Sequence, residues 1–199
     1  MHLFRHLKVV LKHKWLVFWY STKAGIPFRG LIHDTSKFSF TEFMLSAKYY
    51  VGIESPTINE RKYNYGVSNI CLHHTGRNKH HWQYWLDFDK NQIIVARMPY
   101  KISLEFVCDM LSASKTYDPK NFSFQAVLNY YEKRQYNYLM HPATKEFVRD
   151  CFVGLKDEGF KFLKKKNTKE LYKAICQKYD ETVFIPISNN IFDFVKIKG

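Results

Sequence analysis

The 199-residue chain carries 31 Lys and Arg against 18 Asp and Glu, a formal net charge of +13, and 46% of its residues are hydrophobic. This apolar content is enough for the core of one main domain and excludes a disordered chain. The excess of positive charge favours anionic partners such as nucleotides, phosphorylated metabolites or nucleic acid. No apolar segment approaches the roughly 20 residues that a membrane-spanning helix needs, so we expect no membrane partner.

The four cysteines are isolated along the chain, with no C-x-x-C pair. This spacing indicates neither a zinc ribbon nor a disulfide framework. It favours a reducing compartment, the cytoplasm of a bacterium or of an infected host cell.

The N-terminal segment has the periodicity of a helix. Apolar residues recur at helical spacing from residue 2 to about residue 21, which predicts an amphipathic helix. His6 and His13 are seven residues apart and therefore share one face of it. Glycine and proline residues between 25 and 30 end the pattern, and we expect a short helix or helix end over 31–37.

Further helices follow in the first half of the chain. Ser39-x-x-Glu42 matches a capping box, which predicts a helix that begins there and runs to about Tyr50. A loop rich in turn-forming residues is expected over 51–60, followed by one helix over about 60–75.

The second half of the chain is predicted to be helical, apart from a strand-like segment at 93–95. The predicted elements are helices over about 99–114, 123–138, 141–156 and 168–179, and a possible short strand over 183–187. We therefore predict an all-α fold with a possible short C-terminal strand. Its expected organisation is a helical metal-binding domain over 1–140 with a helical extension over 141–199 packed on it.

A run of lysines between residues 161 and 169 is the densest basic feature of the chain. It could meet phosphate backbones, but few aromatic residues are interleaved with it, so a solvated lysine face is favoured. The chain contains no P-loop and no dinucleotide-binding fingerprint.

Histidines and a carboxylate gather at the predicted helix ends. His33 and Asp34 are adjacent, and His74, His80 and His81 follow about 40 residues later. Imidazole plus carboxylate is the ligand set of Zn, Mn, Fe and Co sites, so we predict one or two divalent transition-metal ions. His74 lies on the inward face of its predicted helix. His80 and His81 differ by about 100° on a helix, so one should bind metal and the other should contact substrate or a carboxylate, with the choice open.

Asp109 lies in the apolar stripe of the 99–114 helix. An unpaired buried charge costs several kcal/mol, so a metal, an arginine or another cation is expected beside it. Glu105, one turn earlier, could be a second ligand or could hold a ligand histidine by a hydrogen bond. On the first helix, His13 is the candidate ligand and His6 is its rival.

The candidate ligands resemble the motif order of the HD-domain superfamily of metal-dependent phosphohydrolases, which is H…HD…H…H…D in an all-helical bundle. Segment 33–37, His-Asp-Thr-Ser-Lys, is similar to the H-D-x-G-K element of the signalling phosphodiesterase branch, with Ser36 in place of glycine. The G-Y-P element of that branch is missing. The pattern H-D-x-S-K-F, E-F, R-N-x-H-H-W and E-x-x-x-D also resembles an uncharacterised bacterial and phage family, over about residues 5 to 150.

The superfamily resemblance implies a phosphohydrolase that cleaves a phosphoester, in the first place of a nucleotide or cyclic nucleotide, with a metal-activated water as nucleophile. It implies that Asp34 is catalytic and bridges two metals. The ligands around the two metals would be His13, His33 and Asp109 on one side, and His74 with His80 or His81 on the other.

The same resemblance suggests how the substrate is held. Lys37 would reach the phosphate and take part in catalysis, while Arg77 and Lys79 could neutralise further phosphate charge. Tyr84 or Trp82 could stack on a base.

Two other classes of function are compatible with these residues. The ligand arrangement also resembles that of diiron HD-domain oxygenases, which require iron. A non-enzymatic nucleic-acid-binding or partner-binding protein would instead use the basic charge, with a structural metal or none.

Overall fold

The computed structural model describes residues 3–52 and 54–187 of the chain. The fold is mostly helical, with nine α-helices and one small three-stranded sheet among the described residues, which confirms the predicted helical class. The predicted C-terminal strand is present at Thr182–Pro186. Residues 188–199 of the predicted extension lie outside the described residues.

The bounds of the elements set the frame for the site. The helices are α1 Leu3–Lys23, α2 Pro27–Ile32, α3 Phe40–Tyr49, α4 Pro56–Tyr63, α5 Asn69–Arg77, α6 Tyr100–Tyr117, α7 Phe124–Arg134, α8 Pro142–Glu158 and α9 Lys165–Cys176. Single 3-10 turns occur at Thr35–Phe38, Trp82–Trp85, Gln135–Asn137 and Gly159–Lys161.

The sheet consists of β1 Leu86–Asp89, β2 Gln92–Ala96 and β3 Thr182–Pro186, in that order, and both neighbouring pairs are antiparallel. The strand-like segment 93–95 is its central strand. Strand β1 was not expected from the sequence. It forms a tight hairpin with β2, in which Lys90 takes the left-handed backbone conformation with φ 50°.

Helix α6 is the central helix of the fold. Its first half is buried almost all round, from Ile102 to Cys108, as expected for a helix with neighbours on several sides. The main hydrophobic core joins α6 to side chains of α7, α8 and α9 and the C-terminal end of α1. Among the described residues, none of α3, α4 or α5 belongs to this core.

Helices α1 and α2 pack closely because Gly30 has no side chain. A Cβ atom at Gly30 would lie 2.8 Å from the Cα of Phe18 and 2.7 Å from the Cβ of Ser21. Such distances are sterically forbidden, so only glycine permits this helix pair to approach so closely. The approach brings the C-terminal end of α2 beside α1.

The prediction of one helix over 60–75 is wrong, because this part of the chain forms two helices, α4 and α5, with a break between them. Tyr65 and Gly66 both have positive φ, 52° and 89°, which a helix does not tolerate. The new helix then starts at a cap of its own, since the Ser68 hydroxyl accepts the backbone N–H of Cys71.

The predicted capping residue of α3 is confirmed, because the Ser39 hydroxyl accepts the backbone N–H of Glu42 at 3.3 Å. Segment 31–37 is less regular than expected. Helix α2 ends at Ile32, and Asp34 then adopts φ 52° before the 3-10 turn.

All four cysteines are free thiols. No helix in the described part of the chain is both long and apolar enough to cross a bilayer.

Candidate metal centre

Five segments that are distant in sequence deliver the predicted ligands to one place in the fold. They are α1 with His13, the α2 end with His33 and Asp34, α5 with His74, the turn before Trp82 with His80 and His81, and α6 with Asp109. Most of these side chains are buried. The sequence therefore predicted a cluster that the fold does assemble.

The ligand-type atoms fall into two adjacent groups around Asp34, and a third set, of His33, His80 and Glu105, overlaps both. Within each group, one nitrogen or oxygen atom per residue lies within 4.8 Å of all the others. The first group contains His13, His33 and Asp109, and the second contains Asp34, His74, His80 and His81. Each group has enough donors to hold one ion.

Asp34 faces both groups. Its Oδ2 lies 3.2 Å from His33 Nε2, while its Oδ1 lies 3.3 Å from His74 Nε2 and 3.4 Å from His80 Nε2. The left-handed backbone at this position turns the Asp34 carboxylate relative to the adjacent imidazole of His33, and aspartate is one of the few residues that tolerate it. This position suits a carboxylate shared by two ions.

The first group is held around Asp109. Its Oδ1 lies 3.0 Å from His13 Nε2 and 3.4 Å from His33 Nε2. Its Oδ2 lies 3.8 Å from His80 Nε2. Among the described residues, histidines rather than an arginine lie closest to this carboxylate, and burial lowers the pKa of His13.

The contacts between these residues are close, but several lack hydrogen-bond geometry. Within the described residues, six buried atoms of the cluster have no hydrogen-bond partner: His13 Nδ1, His13 Nε2, His33 Nε2, Asp34 Oδ1, His80 Nε2 and His81 Nε2. Ligands about 2.1 Å from one ion, at angles of about 90–110°, lie roughly 3.0–3.4 Å apart. The spacings of Asp109 to His13 and His33, and of Asp34 to His74 and His80, match that range. Buried polar atoms without a partner call for an explanation such as an ion. The residues therefore fit a divalent transition metal.

Glu105 lies behind the cluster and orients two of its histidines. Its Oε1 is 3.0 Å from His33 Nδ1 and 3.5 Å from His80 Nδ1, and its Oε2 accepts a hydrogen bond of 2.7 Å from Arg29 Nε. A histidine that donates Nδ1–H to a carboxylate presents its Nε2 lone pair to a metal. Burial alone would raise the pKa of Glu105. The hydrogen bonds from His33 and His80 outweigh this effect and lower the pKa to about 2. Of its two predicted roles, the geometry favours the hydrogen bond to a ligand.

Glu42 orients His74 in the way that Glu105 orients His33. Its Oε1 lies 2.7 Å from His74 Nδ1, and its Oε2 lies 3.1 Å from His73 Nδ1, whose other ring nitrogen contacts Arg77. The sequence did not identify this role, because Glu42 already had an explanation as the last residue of a capping box. The available signal was its place as the E of the E-F element in the family pattern, to which the sequence analysis attached no role.

Charges inside the cluster are strongly coupled. Burial would raise the pKa of Asp34, but His33 and Lys37 beside it hold that pKa well below its usual range. Burial would lower the pKa of His33, and the Asp34 charge raises it well above its usual value. In His81, burial and the neighbouring His80 lower the pKa, so that this imidazole stays neutral, as a metal ligand must be.

The structure distinguishes between His13 and His6, one of the alternatives that the sequence left open. His13 lies in the cluster, whereas His6 packs against Phe43 and Tyr50, with ring centroids 5.4 and 5.3 Å apart. His80 and His81 both lie in the second group, so the expected division of roles between them stays a prediction. His80 lies in a turn and His81 in extended backbone, so the angle expected between neighbours on a helix does not apply.

Of the predicted substrate-binding residues Lys37, Arg77, Lys79 and Tyr84, only Lys37 lies at the cluster. The ammonium group of Lys37 lies beside the cluster, 2.5 Å from Asp34 Oδ2. Arg77 contacts His73, and the Lys79 ammonium lies 5.5 Å from the centre of the Tyr84 ring. These last three predicted residues line neither of the two cavities at the cluster.

Two cavities, of about 570 and 510 Å³, meet at the cluster. We name the larger one the aromatic chamber, because Trp82, Phe106 and Tyr138 line this cavity and not the other. We name the smaller one the lysine chamber, because it contains Lys37. The wall that they share consists of His81, Gln83, Asp109, Ala113, Tyr117 and Tyr130. No sequence motif marked Gln83, Tyr117 or Tyr130 for this role.

The chain belongs to the family of unknown function DUF5662, whose model matches residues 2–153. All the candidate ligands fall inside the matched range. No curated protein and no solved structure matched the chain.

Proposed function

We propose that this chain is a metal-dependent phosphohydrolase that cleaves a phosphoester, in the first place of a nucleotide or cyclic nucleotide. The observation that carries the proposal is the pair of ligand groups on either side of Asp34. Two divalent ions held side by side would lower the pKa of a water and neutralise charge on the phosphoryl oxygens. This arrangement resembles that of the HD-domain phosphohydrolases.

The residues of the chain supply positioning and charge. Lys37 lies at the edge of the cluster and opens to the lysine chamber, where its ammonium group can bind a phosphoryl oxygen. Glu105 and Glu42 fix the tautomers of the histidines behind the cluster. Hydrolysis then adds the oxygen of water to phosphorus and returns a proton to the oxygen of the leaving alcohol, so no oxidant or further reactant is needed.

The charge of the molecule supports an anionic substrate. The net charge of +13 attracts anions over distances of about one Debye length, roughly 8 Å at physiological salt. Lys37 supplies positive charge in the cavity itself, beside the proposed ions.

Metal content tests the proposal first. We would purify the protein without a histidine tag and compare the wild type with Asp34→Asn by elemental mass spectrometry. Asparagine also adopts the left-handed conformation of Asp34 but removes the negative charge. Near-stoichiometric Mn, Fe, Co or Zn that is lost in the variant is expected, while the exposed control Asp87→Asn should retain it.

Turnover tests the reaction. The metal-loaded wild type should hydrolyse at least one member of a panel of nucleoside monophosphates and cyclic nucleotides, and Asp34→Asn should lose this activity. Wild-type protein without metal after reconstitution, or an Asp34→Asn variant with normal metal and turnover, would contradict the proposal.

The donor set favours one alternative function. The two groups together contain five histidines and two aspartates, a set that also suits iron, and two adjacent irons would support an oxygenase. Consumption of dioxygen together with a mixed-valent iron signal would identify that reaction. Salt-dependent nucleic-acid binding with neither phosphoester hydrolysis nor dioxygen consumption would instead indicate a binding protein.

A further inference from the structure

We propose that the aromatic chamber binds the nucleoside half of the substrate, while the lysine chamber binds its phosphate. This inference rests on the proposed function and adds the orientation of the substrate across the metal centre. It also limits the substrate to phosphoesters whose organic part is uncharged, flat and able to donate a hydrogen bond.

The two chambers differ in where they carry positive charge. Among the described residues, no Lys or Arg lines the aromatic chamber, whereas Lys37 lines the lysine chamber. Carboxylates line both chambers. Those of the lysine chamber are engaged, because Glu54 pairs with Lys62, Glu42 with His73 and His74, and the shared Asp109 with His13. Asp118 in the aromatic chamber has no such cationic partner among the described residues. An anionic phosphate is therefore favoured in the lysine chamber and disfavoured in the aromatic one.

The wall of the aromatic chamber suits a planar ring. Trp82 and Tyr138 pack on each other with centroids 6.0 Å apart and planes inclined at 30°, and Phe106, Tyr117 and Tyr130 also line the chamber. Stacking of a base on an aromatic side chain is tolerant of base identity, because every base has a π-face. The volume of about 570 Å³ is in the range of small-molecule sites and leaves room for a nucleoside.

In the wall that the two chambers share, a polar atom of Gln83 lacks a partner, as does His81 Nε2 at the metal centre. Gln83 Oε1 is buried and accepts no hydrogen bond within the described structure. A buried acceptor without a donor costs free energy, which a ligand N–H or O–H group would recover. Nucleobases and ribose carry such donors, while a purely hydrocarbon ligand does not.

The shared wall fixes where the two halves of the substrate join. Asp109 and His81, one from each ligand group, border both chambers. A substrate with its ring in the aromatic chamber and its phosphate beside Lys37 therefore places the ester bond next to the proposed ions. The cleaved alcohol would be the nucleoside.

Matched substitutions separate the two chambers. Ser114→Phe fills only the aromatic chamber, and Thr57→Phe fills only the lysine chamber. With the protein as purified, we would titrate adenosine, cytidine and inorganic phosphate by calorimetry. Ser114→Phe should lower nucleoside affinity at least tenfold and change phosphate affinity less than twofold, and Thr57→Phe should do the reverse. Gln83→Leu, which adds no bulk, should also weaken nucleoside binding.

The outcomes distinguish this inference from the proposed function. Nucleoside binding that Ser114→Phe abolishes supports the inference even if no phosphoester is hydrolysed, in which case only the proposed function fails. Nucleotide turnover that is unchanged in both Ser114→Phe and Gln83→Leu overturns the inference and leaves the function standing. Absence of nucleoside binding to the wild type also overturns the inference. So does preferential binding of the cation choline in the aromatic chamber, because the inference requires an uncharged organic part.

Discussion

Replacement of Glu105 by glutamine is the sharpest test of how the metal centre is organised. The carboxylate accepts from His33 Nδ1 with one oxygen and from Arg29 Nε with the other. Glutamine has only one oxygen, so its NH2 group must face one of these donors. If it faces His33, the ring moves its proton to Nε2 and can no longer bind an ion there.

The size of the effect follows from these contacts. Loss of a hydrogen-bond partner behind a metal ligand typically lowers metal affinity by about 10–100-fold, or about 1.4–2.7 kcal/mol. Glu105 faces one histidine of each group, His33 at 3.0 Å and His80 at a marginal 3.5 Å. We therefore expect Glu105→Gln to fall in the upper half of that range.

The assay is a competition titration against a chelator of known affinity, with urea unfolding of the metal-free protein in parallel. Glu60→Gln is the matched control. Glu60 is as buried as Glu105, but it bonds to the Ser68 hydroxyl and the Ile70 backbone, at 2.7 and 3.0 Å, and not to a candidate ligand. The control should lose stability and keep its metal affinity. Unchanged affinity in folded Glu105→Gln, or an equal loss in Glu60→Gln, would refute the assigned role.

Three further predictions follow from the same geometry. Lys37→Ala should retain metal by mass spectrometry but bind inorganic phosphate at least tenfold more weakly, and loss of metal would show that Lys37 has another role. Gly30→Ala should lower the free energy of unfolding by about 1–3 kcal/mol, because its Cβ would lie against the Phe18 backbone, and an unchanged urea midpoint would contradict this. In the metal-free protein, Glu105 has a pKa of about 2 instead of 4.5, so its stabilisation is complete above pH 4.5 and is lost as the pH falls through 2. Acid titration monitored by circular dichroism should show this loss, of roughly 3 kcal/mol, in wild type and not in Glu105→Gln.

Local signals in the sequence were enough for most helices, because periodicity and caps act over a few residues. The Ser39 cap and the inward-facing positions of His74 and Asp109 are of this kind. The break at Tyr65 was missed, since the stretch around it contains no proline and Gly66 alone does not end a helix pattern. Strand β1 was missed because its pairing with β2 depends on a turn at Lys90, a residue that rarely takes positive φ.

The candidate site was predictable where its residues form motifs, and unpredictable where only packing brings them in. His33, Asp34 and the histidines of the second group could be identified from residue type and spacing. The chamber residues Gln83 and Tyr130 carry no such signature, because their contribution depends on where α6 and α7 lie in space. Glu42 shows a third case, in which a valid local explanation concealed a tertiary contact.

The exclusion of α3, α4 and α5 from the main hydrophobic core has a consequence for folding. These helices contact the rest of the molecule at the cluster, where His74 Nε2 lies 3.3 Å from Asp34 Oδ1, and at α1, where His6 packs against Phe43. Such a unit opens at a lower free energy than the core around α6, as local unfolding generally follows apolar burial. An ion held between His74 on α5 and Asp34 would act as a cross-link that closes the unit by mass action. Amide hydrogen exchange across 40–77 would then report metal occupancy, while exchange in α6 and α8 would report global unfolding.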